Sequence, residues 1–227
     1  MQTDRTTIAR TEFRLSEPRA ARLIELGDLR FRALLTIEQW ETLPAGIRRR
    51  FSKRLADTNA VVYVGEVIEA RMSRAGWCLA QAARLIGAPL PTASDANVPS
   101  VVTVTEDLGT GGQIWTRAYA RRRGFPQVIN SSKRFSGPTG LEEYIGYGIG
   151  MALTVATEPN ALVFHSAGYF LMLGRWRLRL PEWATPGKLC VTHTELGSHH
   201  FEFKLEVTHP RLGLLIRQIA VFREGAA

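Results

Sequence analysis

The chain of 227 residues carries 29 Lys and Arg against 21 Asp and Glu, a formal net charge of +8, with 45% hydrophobic residues and two cysteines. That length fills one well-packed core; no apolar stretch approaches the roughly 18 residues of a spanning helix, and Asp4, Glu12 and Glu17 among the N-terminal arginines exclude a secretory signal. Cys78 and Cys190, far apart among apolar neighbours, point to reduced core thiols in a cytoplasmic protein and away from a disulfide framework.

Residues 1–27 are polar, Arg-rich and weakly periodic, and are expected to form a loose arm ahead of a single domain over 28–224. From Asp28 to Arg54, apolar residues including Phe31, Leu34, Trp40, Leu43, Ile47 and Phe51 recur at three- and four-residue steps around Pro44-Ala45-Gly46, which predicts two short helices joined by a turn and lying across an end of a sheet. Val61 to Ile68 is β-branched enough for a strand. Met72 to Ile86 has helical spacing, a slim alanine face, and a stop at Gly87 backed by Pro89 and Pro91.

Strand patterns then follow at Ser100–Glu106, Gln113–Arg121, Gln127–Phe135, Met151–Thr157, Ala161–Leu171, Arg175–Leu180, Lys188–Glu195, His200–Thr208 and Leu212–Arg223. The clearest is His200–Thr208, where Phe201, Phe203, Leu205 and Val207 alternate with polar residues. About nine or ten strands in series must curl. The expected fold is therefore α+β: a curved antiparallel meander, as a half-barrel or open barrel, wrapping the Met72–Ile86 helix, with short N-terminal helices.

Leu43-Pro44 followed by Arg48, the segment Leu180-Pro181-Glu182-Trp183-Ala184-Thr185-Pro186, then Phe201 and Phe203, and finally Pro210-Arg211-Leu212-Gly213-Leu214-Leu215 resemble, in that order, the bacterial family known as domain of unknown function 4166. The resemblance spans roughly residues 30 to 223. Members of that family are often fused to saccharopine-dehydrogenase-like or epimerase-like NAD(P)-binding domains, so the resemblance implies an NAD(P)-dependent oxidoreductase as partner; it supplies no catalytic residues. Gln218 and Ala220 stand where the family pattern implies Tyr and Gly, and a pocket lined by those positions would take a different ligand here.

Trp115, Arg117 and Tyr119 share one strand face and would present a guanidinium and a phenol to the headgroup of a small apolar molecule or lipid. The opposite possibility is that the aromatic rings pack on outer helices while Arg117 reaches solvent beside Glu106. Tyr144 and Tyr147 lie in a glycine-rich stretch, Gly140 to Gly150, which follows a Pro-Gly turn and feeds a strand; it lacks the strand-then-helix context of a phosphate loop and reads as a lid or bulged strand over the mouth of the sheet. His165 is placed on the side of Val163 and Tyr169, as a core histidine or a ligand contact.

His193 and Glu195 point to one face and form the candidate acid–base pair of an alternative, enzymatic reading, with His199 or His200 brought opposite Glu195 by the next turn. No metal-ligand spacing is met, and neither a metal nor a cofactor is expected. Arg175, Arg177 and Arg179 alternate with apolar residues, a row suited to an acidic protein partner or to peripheral contact with an anionic membrane. No base-reading element or stacking platform is present, so specific nucleic-acid recognition is not expected. The leading reading is a module that binds a small apolar ligand; the others are an enzyme working through His193 and Glu195, and a protein-interaction module with a packed core.

Overall fold

Apolar and polar residues alternate along most of the chain, and in the computed structural model, which describes residues 27–55 and 60–224, this pattern becomes eleven antiparallel strands. They are β1 (Val61–Met72), β2 (Val98–Asp107), β3 (Gly112–Tyr119), β4 (Gln127–Arg134), β5 (Glu142–Gly146), β6 (Ile149–Glu158), β7 (Ala161–Leu173), β8 (Trp176–Arg179), β9 (Lys188–Gly197), β10 (His200–His209) and β11 (Gly213–Glu224). The arm expected over residues 1–27 lies, apart from Gly27, outside the described residues.

The sheet closes on itself. β1 to β7 pair in sequence, β7 continues to β9, then β10 and β11, and β11 returns to β1 with Tyr63 opposite Glu224 and Met72 opposite Ile216. Ten strands make the closed wall, and β8 is a short spur beside the second half of β7. The expectation of an open half-barrel of α+β type wrapping a helix is therefore wrong. The chain is a β-barrel with few helices, and the physical reason is twofold: ten strands of this length suffice to remove every sheet edge from the wall, and the lumen is filled by side chains from the strands themselves. Tyr63, Trp115, Phe164, His193, Phe201, Phe203 and Phe222 all point inward and are buried.

The helices close the ends. α1 (Ile37–Thr42) starts at a reciprocal cap in which the Gln39 N–H donates to Thr36 Oγ1 at 3.2 Å and the Thr36 N–H donates to Gln39 Oε1 at 3.0 Å. With α2 (Ala45–Phe51) it plugs one mouth through Phe31, Ile47 and Phe51, the Phe31 ring standing edge-on to Phe51 at 5.1 Å and to Phe135 at 4.9 Å. α3 (Arg74–Ala82) lies over the other end. Its Gly76 sits so close to β11 that a Cβ there would fall 2.0 Å from the Leu215 carbonyl oxygen, which holds the helix against the rim and leaves Trp77 exposed. The helix tightens into a 3-10 turn over Ala83–Ile86 and stops at Gly87, whose φ of +95° suits glycine.

The glycine-rich stretch is a strand. Glu142–Gly146 forms β5 between β4 and β6, with an irregularity after Tyr144 and a tight turn through Tyr147 and Gly148. The expectation of core cysteines also needs correction: Cys78 is exposed on α3 and Cys190 points outward, half-buried, from β9, both as free thiols. Among the described residues no helix is long and apolar enough to cross a membrane.

Candidate functional site

Register places a charged cluster inside the barrel. Lys133 on β4 lies opposite Glu143 on β5, and Trp115 on β3 lies opposite Ser131. Lys133 Nζ approaches Glu143 Oε2 at 2.9 Å, Ser131 Oγ donates to Glu143 Oε1 at 2.6 Å, and Arg117 donates to Ser131 Oγ at 3.0 Å while standing 3.6 Å from the same carboxylate. Burial alone would raise the Glu143 carboxyl, but Lys133 and Arg117 outweigh it and hold the group at about 2. Burial strips the Lys133 ammonium of water and lowers it, with Arg117 adding to the effect and Glu143 opposing it.

Trp115, Arg117 and Tyr119 do share one face, and it is the inner one. Their surroundings are packed: Trp115 Nε1 donates to Gln113 Oε1 at 3.2 Å, and Arg117 pairs with Glu143, in the stretch read from sequence as a lid or bulged strand, and not with Glu106. The two voids beside these residues are about 10 Å³ each, which is room for about one water apiece and for no organic ligand.

His193 is also in the lumen, edge-on to Phe51 at 5.2 Å and Phe203 at 5.3 Å, with its Nδ1 buried and unpartnered. Burial, then the charges of Arg50, Lys133 and Arg117, push it well below the ordinary histidine range, so the ring is neutral. Glu195 accepts from Arg50 at 2.8 Å; Arg50 also lies 3.2 Å from Glu224 and covers the Phe201 ring at 3.8 Å. His193 and Glu195 thus face the same interior but act as an aromatic-packed base and a structural ion-pair partner. His199 is exposed in the β9–β10 turn, and His200 faces the Ser198 carbonyl. Among the described residues no three His, Cys, Asp or Glu side chains gather as metal ligands.

The remaining candidates lie outside the lumen. Tyr144 donates to Glu142 Oε2 at 3.2 Å on the outer face, under the Arg134 guanidinium. Tyr147 is exposed at the β5–β6 turn. His165 is exposed too: the stretch from Ser166 to Tyr169 opposes a shorter one on β6, so side-chain parity flips, leaving His165 and Tyr169 on opposite faces. In the arginine row, Arg177 is bound to Glu142 and covers Phe170, which leaves Arg175 and Arg179 for any outside partner.

The sequence did not single out the larger opening. Between α3 and the barrel end lies an apolar groove of about 460 Å³. Leu79, Ala83 and Ile86 form one wall, Ile145, Ile149 and Met151 the β5–β6 side, Leu189 and Val207 the strand ends, and Leu180 with Trp183, Ala184, Thr185 and Pro186 the outer wall. No Asp, Glu, Lys, Arg or His lines it. Tyr169 and Thr185 are the polar residues of its lining, and Tyr169, 6% exposed, keeps its hydroxyl buried beside Ser166. Burial pushes this phenol up to about 12, against a hydrogen bond with Ser166, so it stays protonated. The signal available beforehand was the Leu180–Pro186 segment, in which a tryptophan stands between two prolines.

A comparison with curated proteins returns no match. The family model described as Domain of unknown function (DUF4166) matches residues 43–222, from the turn before α2 to near the end of strand β11, and so includes the lumen cluster and the whole groove. Coverage of this extent shows the relationship: the chain belongs to the DUF4166 family.

Proposed function

We propose that this barrel is a binding module for a small apolar molecule or lipid, held in the end groove and not in the lumen. The observation that carries the reading is the groove itself: its volume of about 460 Å³ lies within the usual range of small-molecule sites, and its walls are mainly apolar, with no charged side chain among them. Burying an apolar ligand there contributes about 25 cal/mol per Å² of area removed from water. Handing such a ligand to an NAD(P)-dependent oxidoreductase in trans is the service that the fused relatives of the family suggest. The enzymatic alternative finds little support, because the neutral His193 ring has no space beside it for a substrate and Glu195 is occupied by Arg50.

Native mass spectrometry of the purified protein, with organic extraction and identification of what co-purifies, tests the proposal. A stoichiometric apolar adduct is the expected result. A bare polypeptide mass, together with no displacement of an environment-sensitive apolar dye by any member of a lipid panel, would overturn it.

A further inference from the structure

We infer that the end of the barrel where the groove opens docks on an anionic lipid bilayer, from which the apolar ligand enters. The route of entry rests on the reading above; the docking surface stands on two observations of its own. The first is an apolar face that is uncovered among the described residues. Residues directly opposite in a ladder share a face, so Ile149, Leu171 and Leu178 lie on one side of β6, β7 and β8, followed outward by Leu173 and Trp176. Ile149, Met151 and Tyr169 on that side line the groove, and the face runs on beyond it along the β8 spur, where Leu173, Trp176 and Leu178 are exposed. Across the opening, Leu85 and Trp183 line the groove yet are 84% and 85% exposed, and Tyr147, beside Gly87 at the end of the 3-10 turn, is exposed as well. A continuous apolar rim of this kind marks an interaction site.

The second is the charge around that rim. In the segments that frame the opening, residues 83–91, 145–149 and 171–188, Arg84, Arg175, Arg179 and Lys188 are exposed, Arg177 is held by Glu142, and Glu182 is the sole carboxylate. Basic side chains are drawn to anionic headgroups, while Trp and Tyr seat at the boundary between headgroups and acyl chains. The tip of the spur offers both, since the Arg175 guanidinium lies 5.4 Å from the centre of the Trp176 ring. A second copy of this chain on the same face would bring like charges together, whereas an anionic bilayer neutralises them and takes up the apolar side chains between them. An apolar molecule that passes from such a bilayer into the groove never crosses water.

The test is flotation of the full chain with vesicles of phosphatidylcholine alone and of phosphatidylcholine with about 30% phosphatidylglycerol. Groove occupancy is read separately, by the apolar dye in the absence of vesicles. The chain should float with the anionic vesicles only, and about 0.5 M salt should release it. Arg175→Gln with Arg179→Gln should weaken vesicle binding roughly thirty-fold, and Trp176→Ser about ten-fold, each with dye binding and melting temperature unchanged, because none of the three residues lines the groove. Equal flotation with both vesicle types, flotation with neither, or unaltered flotation of both variants would overturn the inference and leave the groove reading intact. A dimer in native mass spectrometry that Trp176→Ser splits would also overturn it, by giving this face to a second copy. Anionic flotation by a chain that binds no dye would uphold the docking surface and overturn the groove reading. Should a variant not fold, the lipid and salt dependence of the unaltered chain decides the matter.

Discussion

Glu143 faces two cations and can neutralise one of them. Removing its charge leaves Lys133 and Arg117 together in the lumen, so Glu143→Gln should destabilise the fold by about 3–5 kcal/mol in urea unfolding; a loss below about 1 kcal/mol would mean that the lumen tolerates free charge. Because its folded value is depressed to about 2 from the ordinary 4.5, the stability Glu143 contributes is complete above about pH 4.5 and disappears as the pH falls toward 2. His193 acts at milder acidity. The unfolded chain takes up a proton near 6.5 that the buried ring refuses, so stability declines as the pH drops below that value. His193→Phe, which also removes an unpartnered nitrogen from an aromatic nest, should flatten the stability profile between pH 7 and 5; an unchanged slope would place the acid sensitivity elsewhere.

At the scale of elements, α3 depends on one missing methyl group. Gly76→Ala would drive a Cβ into the Leu215 carbonyl, lifting the helix from β11, and should cost about 1–3 kcal/mol and lower the melting temperature. Because α3 is also a groove wall, the same change should weaken dye binding; normal binding at a lowered melting temperature would separate the helix from the site. Elements were the most legible level of the sequence. The alternation from Phe201 to Val207, the Gly87 stop and the helix pair around Pro44 each follow from local chemistry, and each forms where the residues point. From sequence β5 reads as a lid or a bulged strand because it is short, starts with two glutamates and runs into Gly146, Gly148 and Gly150, which weakens its local strand signal. Its strand character comes from Lys133 and Glu143 meeting across the ladder, a fact of register and not of composition.

For the whole molecule, the shared face of Trp115, Arg117 and Tyr119 on β3 was legible, but whether it points inward was not. Whether Trp115 and Arg117 line a cavity or a packed core depends on closure, and closure is decided by β6 meeting β7 and β1 meeting β11, pairings no single segment encodes. The groove was illegible for a related reason: its walls come from α3, the β5–β6 hairpin, the Leu180–Pro186 segment and the ends of β9 and β10. Since lumen and groove are separate, blocking one should not touch the other. Ala82→Trp, at an exposed position on the groove wall, should abolish dye binding and leave urea stability within about 0.5 kcal/mol of the unaltered chain. Retained binding would place the ligand away from the groove.

The seam between β1 and β11 also governs when this protein can exist at all. The strand that opens the barrel is hydrogen-bonded along its whole length to the last strand of the sequence, and Glu224, at the end of that strand, anchors Arg49 and Arg50 of α2 near the beginning. Such distant pairings are slow to form because loop closure precedes any reward from contact. During synthesis β1 therefore waits with one edge unpaired until β11 has left the ribosome, and a nascent chain halted before residue 213 is a curled ribbon with two sticky margins, the state in which chaperone capture or misassembly would occur.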